Sequence, residues 1–505
     1  MKKFRKFFAA IAASLMLCLA LTSLSGCFYS PEVPIDELMQ EVLSKVDFNA
    51  DTNYKGTLKV ALMDDIASAD SFNALKTDFE NKYKNIKVEV ETFPDLISRV
   101  VTMHGAATTL GKYDSMPDII WVANEDIPGL VSSEVLMPID YFDEADKEWD
   151  TTELVQSMVQ DSYFKKHMYM MPRDYNQIAL LYNTAMFAEA KAADSTIKSP
   201  DEFKDENGKV RAMTQAEFTE VAKKVQAWMA STQKYKAGKA VDFRSIWGSL
   251  NYAISRNFGA TIIDSDSNCT LSSEETVNMF DYLVDMVYNN VMTGPNETEG
   301  FDFFASERAA MCFQSRACLS DVIAKTEARN GVYENLNVAP MPCLGDDDKY
   351  SIGAGCSGYA MYRNAVHATE AWLFLKNIVS ESAQEAFSAC GNGVPVVQSL
   401  LDDEDAAWRN LAQVNEAKYG KLRADFNHDA FVYRRDAATT MEFKKYVPTT
   451  IVTEICSTVN GVFVDLLSLE VVVKGDKAKT RENIASKLNG FRKDINSQIR
   501  KAPLE

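Results

Sequence analysis

Between residues 56 and 122 the apolar pattern switches repeatedly between two periods, and nothing else in the chain limits its fold as strongly. Gly56-Thr57-Leu58-Lys59-Val60-Ala61-Leu62-Met63 alternates as a half-buried strand does. Phe72, Leu75, Phe79 and Tyr83 then recur at helical spacing, and Ile86-Lys87-Val88-Glu89-Val90 alternates again. An apolar-faced segment follows near residues 96–101, and Asp118-Ile119-Ile120-Trp121-Val122 has the make-up of a short buried strand. Strand, helix, strand, helix, strand predicts an α/β sheet with parallel strands.

The middle of the chain is richer in helix. Thr214-Gln215-Ala216-Glu217 has the form of a capping box, in which the threonine caps backbone N–H groups and the glutamate reaches back. Phe218, Val221, Val225 and Trp228 follow on one face. Ser272 and Glu275 suggest a second such start ahead of Val277, Phe280, Val284 and Val287. Ile484, Leu488, Phe491, Ile495 and Ile499 form a last stripe. Stripes of this kind are core faces. Asp346-Asp347-Asp348 is a solvated turn, and the chain carries no internal repeat.

A length of 505 residues with 46% hydrophobic content allows a large core divided between more than one lobe. The formal net charge is −19, which repels phosphate backbones and argues against a nucleic-acid partner. Of nine cysteines, Cys312 and Cys318 stand close together without the second pair a zinc site needs. His104, His167, His367 and His428 lie far apart. Neither a metal nor another cofactor is expected.

The N-terminus carries Lys2, Lys3, Arg5 and Lys6, then an apolar stretch over 7–21, then Leu24-Ser25-Gly26-Cys27. This is the layout of a secretory signal. Its end resembles the lipobox of bacterial lipoproteins, which implies cleavage before Cys27 and lipidation of that thiol. The alternative is a single transmembrane anchor, for which the stretch falls short of the roughly 20 residues required. Either way the remainder works outside the cytoplasm while tethered to a membrane. Residues 27–55 are polar and are taken as a lipid-anchored linker. No second long apolar run is evident after Cys27.

Several motifs, in order, resemble those of bacterial extracellular solute-binding proteins, in particular the family that includes maltose-binding protein and feeds ABC importers. They are Phe79-Glu80-Asn81-Lys82-Tyr83-Lys84-Asn85-Ile86-Lys87-Val88, Met116-Pro117-Asp118-Ile119-Ile120, and Met171-Pro172 ahead of Leu180-Leu181-Tyr182-Asn183 and Phe187. Later ones are Phe304 with Arg308-Ala309-Ala310-Met311, Val338-Ala339-Pro340-Met341-Pro342, and Gly393-Val394-Pro395. The resemblance covers roughly residues 56–400. It implies a two-lobe periplasmic-binding-protein fold, type II-like, hinged between the lobes. The expected division is a signal over 1–26, lobe 1 over 56–172 and 354–402, and lobe 2 over 173–353 and 403–505. The expected partners are a small-molecule ligand, most simply a carbohydrate, and ABC permease subunits, with the receptor itself a monomer.

In open sheets, ligands gather beyond the carboxyl ends of strands. Asp64 and Asp65 follow the opening strand, and Asn124, Glu125 and Asp126 follow the strand at 118–122. Glu125 falls where sugar-binding relatives place a ligand-contacting carboxylate, a group able to accept from two neighbouring hydroxyls. Asp126 reads more simply as a helix cap or surface acid. Asp174 and Asn176 lie at the first crossover between lobes, Asn176 on a family contact position that is often acidic. Trp247, Asn251 and Tyr252 offer stacking surface on the second lobe, although Trp247 and Tyr252 fit a core equally well. Ser315 and Arg316 follow Met311, where many relatives have glycine and tryptophan; Ala317 stands in the tryptophan's place. Gly355 lies in a small-residue crossing where backbone can approach a ligand. Three functions remain open: an oligosaccharide receptor; a receptor for a peptide, polyamine or glycerophosphodiester; and a cell-surface glycosidase. No Gly-x-Ser-x-Gly or His-Glu-x-x-His motif is present.

Overall fold

The computed structural model describes residues 35–147, 149–297, 302–328 and 333–503. The signal-like run and Cys27 lie outside the described residues. The chain divides into two compact units, the first ending at Val46 and the second starting at Asp47.

Within the first unit, Ile35–Leu43 is a helix with Asp36 and Glu37 in its first turn, where carboxylates complement the helix dipole. Part of the segment taken as linker is therefore helical. Residues 47–55 belong to the second unit and are tied to it. The Asp47 N–H donates to Thr369 Oγ1 at 3.0 Å, and Phe48 meets Phe142 edge-on at 6.4 Å.

The second unit is built on two sheets. We label its principal strands β1 (Gly56–Met63), β2 (Ile86–Phe93), β3 (Ile119–Ala123), β4 (Met171–Pro172), β5 (Asp174–Asn183), β6 (Lys239–Asp242), β7 (Ala309–Ser315), β8 (Leu336–Pro340), β9 (Ile352–Gly355), β10 (Ser357–Met361), β11 (Val394–Pro395) and β12 (Ala438–Thr439). The first sheet runs β2-β1-β3-β10-β4, with β1 parallel to both β2 and β3 and β10 antiparallel to β3. The second runs β12-β9-β5-β7-β6, with β8 and β11 also paired to β5.

The alternation that announced β1 buries Leu58, Val60 and Leu62, and the helix Asp70–Lys82 turns Phe72, Leu75 and Phe79 inward. Phe79 packs edge-on against Phe374 of the helix Ala368–Ile378 at 5.3 Å. Burying such a side chain contributes about 1.5–3 kcal/mol. Thr214 and Glu217 form the expected capping box. The second helix start is displaced by one residue: Ser273 is the cap, accepting from Thr276 N, and the helix is Glu274–Tyr288.

A further correction concerns apolar length. Thr449–Leu467 is long and apolar enough, by length and composition, to cross a membrane. In the fold its face of Val452, Ile455, Val459, Val462, Phe463, Leu466 and Leu467 is buried in the core that packs on the second sheet, beside the helix Glu274–Tyr288 and the helix Lys477–Lys501.

The chain passes between sheets through single residues. Arg173 separates β4 from β5, and Cys356 separates β9 from β10. The two passages lie side by side. Arg173 N donates to Ser357 O at 2.8 Å, and Ser357 N donates to Asp174 Oδ1 at 2.9 Å. β11 adds a third strand here, with Val394 opposite Tyr175 and Pro395 opposite Asp174.

Candidate ligand cleft

β1 and β3 are adjacent and parallel, so residues 64–65 and 124–126 leave the same edge of the first sheet. Asp64 and Asp65 are exposed and open the short helix Asp64–Ser68. Asp65 Oδ1 accepts from Ile66 N at 2.9 Å.

After β3 the loop is pinched by its own side chains. Asp126 occupies the cap position of the helix Ile127–Ser132 but gives that helix no side-chain cap. Its Oδ2 instead accepts from Ala123 N at 3.0 Å. Asn124 is buried; its N donates to Cys356 O at 3.2 Å and its Nδ2 to Asp161 Oδ2 at 2.6 Å. A Cβ on Gly355 would lie 3.5 Å from Asn124 Nδ2, so the crossing and this loop are neighbours.

Glu125 is left projecting. Its side chain reaches solvent, yet burial raises its pKa, opposed by Lys444 and reinforced by Asp126 and Asp161, with Arg244 opposing more weakly.

From the second sheet, Arg244 is the group whose charge reaches Glu125. β6 ends at buried Asp242, which accepts from Phe304 N at 3.3 Å and whose carboxyl burial pushes up to about 7. The chain then presents half-buried Arg244 and Ile246, the latter 57% exposed. Neither residue stood out in the sequence. Their signal was position alone, between a strand end and the helix Gly248–Asn257.

The second-lobe residues expected to meet ligand mostly face inward. Tyr252 is buried and packs at 5.7 Å on Phe443, which makes it core. Asn251 is buried, and its Nδ2 donates to Ser245 O at 2.7 Å, clamping the turn that carries Arg244. Trp247 is half-buried against the same core.

At the crossovers, Asp174 is fully buried and its Oδ2 accepts from Arg173 Nη2 at 2.9 Å, so it is tied into the crossing between the sheets. Asn176 Oδ1 accepts from Ala317 N at 3.2 Å. Ser315 is buried at the end of β7. Arg316 is fully buried away from solvent: Nη1 meets His428 Nδ1 at 2.9 Å, Nη2 donates to Trp408 O, and the guanidinium lies 5.4 Å from the Trp408 ring centre and 5.7 Å from that of Phe431. With no carboxylate in that list, burial lowers its pKa to about 9. Arg316 thus anchors the segment between β11 and β12.

That segment returns to the cleft. Lys444 Nζ donates to Asn124 O at 3.3 Å, and a cavity of about 20 Å³ lies between Asn124, Pro128, Asp161, Thr440 and Lys444. Nothing local to either residue hints at this pairing, because 320 positions separate them. Among the described residues, no group of three or more His, Cys, Asp or Glu is arranged to hold a metal ion, and Cys269, Cys312, Cys318, Cys343, Cys356, Cys390 and Cys456 are free thiols.

The fold is similar to that of the ABC substrate-binding protein Lmo0181 from Listeria monocytogenes in complex with cycloalternan, with a TM-score of 0.66 at 15% identity over 88% of this chain and 100% of that one. It is similar to UgpB from Mycobacterium tuberculosis in complex with glycerophosphocholine, with a TM-score of 0.64 at 18% identity over 88% and 100%. It is similar to the GacH receptor of Streptomyces glaucescens, known unliganded and with acarbose, with a TM-score of 0.61 at 15% identity over 88% and 100%. These likenesses establish the two-lobe α/β fold. A comparison of the sequence with curated proteins finds no match. Residues 74–415, more than half of the chain, match the family described as bacterial extracellular solute-binding protein, and the chain belongs to that family.

Proposed function

We propose that this protein is a receptor that captures an oligosaccharide between its lobes and passes it, chemically unaltered, to the permease of an ABC importer. Lipid on Cys27 tethers it, as a monomer, to the outer face of the cell membrane. The observation that carries this reading is that the charges of Glu125 and Arg244, which follow strand ends of different sheets, reach each other. One strand end leads to the solvent-reached carboxylate of Glu125; the other leads to Arg244 and the exposed apolar surface of Ile246. A carboxylate accepts from paired hydroxyls, a guanidinium donates to ring and hydroxyl oxygens, and an aliphatic surface covers the C–H face of a sugar. Asp64 and Asp65, which leave the same sheet edge as Glu125, and Gly355, beside Asn124, would extend this site. Complexes of structural neighbours with cycloalternan and acarbose support a carbohydrate.

A second reading rests on Arg244 and on the neighbour that holds glycerophosphocholine. A guanidinium fits a phosphate oxygen pair well, and Ala317 removes the aromatic platform many sugar-binding relatives use.

A thermal-shift screen of oligosaccharides, peptides, polyamines and glycerophosphocholine tests both. A ligand at 100 times its Kd adds about 2.7 kcal/mol to native stability and raises the melting point. A response to oligosaccharides supports the first reading, and a response to glycerophosphocholine alone replaces it with the second. Sustained cleavage of an oligosaccharide would end both.

A further inference from the structure

We infer that Lys444, carried by the second lobe, clasps the 124–126 loop of the first lobe and holds the cleft shut beside Glu125. This deepens the receptor reading, since it says what sets the closed state, but its geometry stands without any ligand.

The segment bearing Lys444 is built into the second lobe on both sides. Upstream, β12 runs parallel to β9, with Ala438 opposite Ile352 and Thr439 opposite Gly353. Met441, Phe443 and Val447 are buried in the second lobe's core, and Phe443 packs on Tyr252. From that base Lys444 extends the other way. It is 8% exposed, and its ammonium donates to the carbonyl of Asn124. Asn124 is bonded in turn to Asp161, which also accepts from Thr440 of the same segment. Nearby, a Cβ on Gly129 of the first lobe would stand 3.2 Å from Thr453 Oγ1.

Charge explains why this contact holds. Glu125, Asp126 and Asp161 stand together on the first lobe, and Lys444 is the cation that opposes the rise in pKa of each. Without it, neighbouring carboxylates repel one another in a poorly hydrated corner. With it, one ammonium draws on several acids in a low effective dielectric, where attraction far exceeds its value in water. Moving the lobes apart separates the cation from all of them at once.

Hydrogen exchange of the full chain, without added solute, tests the clasp. Lys444→Met keeps the aliphatic stem and removes the charge. The expected result is faster amide exchange in 124–132 and 440–453, with unchanged protection in β1, β5 and the helix Val452–Leu467 beyond its first turn. Asp161→Asn introduced beside Lys444→Met relieves the repulsion and brings those rates part of the way back. Unchanged exchange in 124–132 for Lys444→Met overturns the clasp. If Lys444→Met loses protection everywhere, Asp161→Asn alone decides: faster exchange confined to the same two segments supports the clasp, and no change overturns it. A solute screen that finds no ligand removes the receptor reading and leaves these exchange outcomes as they are.

Discussion

Arg173 and Ser357, 184 residues apart in sequence, are bonded twice: Arg173 Nη2 donates to Ser357 Oγ at 2.8 Å, and Arg173 N donates to Ser357 O at 2.8 Å. These two residues flank the points where the chain leaves one sheet for the other. Asp174 completes the set, with its oxygens taken by Arg173 and by the backbone and hydroxyl of Ser357. A two-lobe protein needs its crossings held in register, and here a fully buried ion pair does it. Arg173→Ala leaves the Asp174 charge without its cation, which costs about 3–5 kcal/mol for a buried pair broken on one side. The urea midpoint of the variant reads this. A loss below about 1 kcal/mol would show that Ser357 alone satisfies Asp174.

Glu125 is the residue on which the receptor reading stands or falls. A hydrogen bond to a charged group contributes about 1.5–3 kcal/mol, so Glu125→Ala is expected to weaken ligand binding roughly 10- to 150-fold. Its melting curve should stay close to wild type, because the side chain reaches solvent. Burial raises its pKa. The charged form, which accepts from hydroxyls, is therefore lost at a higher pH than for an ordinary glutamate near 4.3. Calorimetric affinity should fall on acidification and the fall should vanish in Glu125→Gln. Equal losses of binding and folding in Glu125→Ala would make the residue structural.

How far the sequence foretold this arrangement depends on which side chain is asked about. Periodicity is a property of neighbours, and it located β1, β2 and β3 and the helices between them. Burial of a charged group is decided by partners far away. Asp174 and Arg316 read as cleft residues by position, one at the first crossover and the other just after Met311. The first is neutralised by the adjacent Arg173, and the second is wrapped by Trp408, His428 and Phe431 from a segment about a hundred residues on. Lys444 was illegible for the same reason. Thr449–Leu467 shows the limit of composition, since one apolar helix serves a core or a bilayer equally well.

Asp242 gives the stability curve a sign that most carboxylates do not. Paired surface acids have depressed pKa values and stabilise the fold above them; Asp242, buried at the end of β6, is pushed up to about 7. Between its unfolded value near 3.9 and about 7, the folded state holds a proton that the unfolded state releases. Its contribution to stability is therefore fully present below about pH 4 and is lost as pH rises toward 7, by about 1.4 kcal/mol per unit. Asp242→Asn cannot lose that proton. Relative to wild type, its urea midpoint should rise from pH 5 to about pH 7 and level off above it. Parallel pH profiles for the two proteins would place the carboxyl in an ordinary, hydrated setting.

Two glycines put the packing of the first lobe to a test of opposite signs. Gly358 in β10 lies opposite Pro172 of β4 and Val122 of β3. A Cβ built there would overlap Met171 O and come within 2.8 Å of Met170 Cγ. The overlap is with backbone, so relief requires β4 to move away from β10, and β4 leads directly into Arg173. Overpacking of a close-packed site costs about 1–3 kcal/mol and sometimes more. Gly105 is interior to the helix Leu96–Leu110, and a Cβ there meets nothing within 4 Å. Gly105→Ala should stabilise by about 0.5–1 kcal/mol, the difference between the two residues in a helix interior. The same added methyl should lower the melting temperature at position 358 and raise it at position 105. A Gly358→Ala protein as stable as wild type would mean that β4 and β10 are not held at the spacing described.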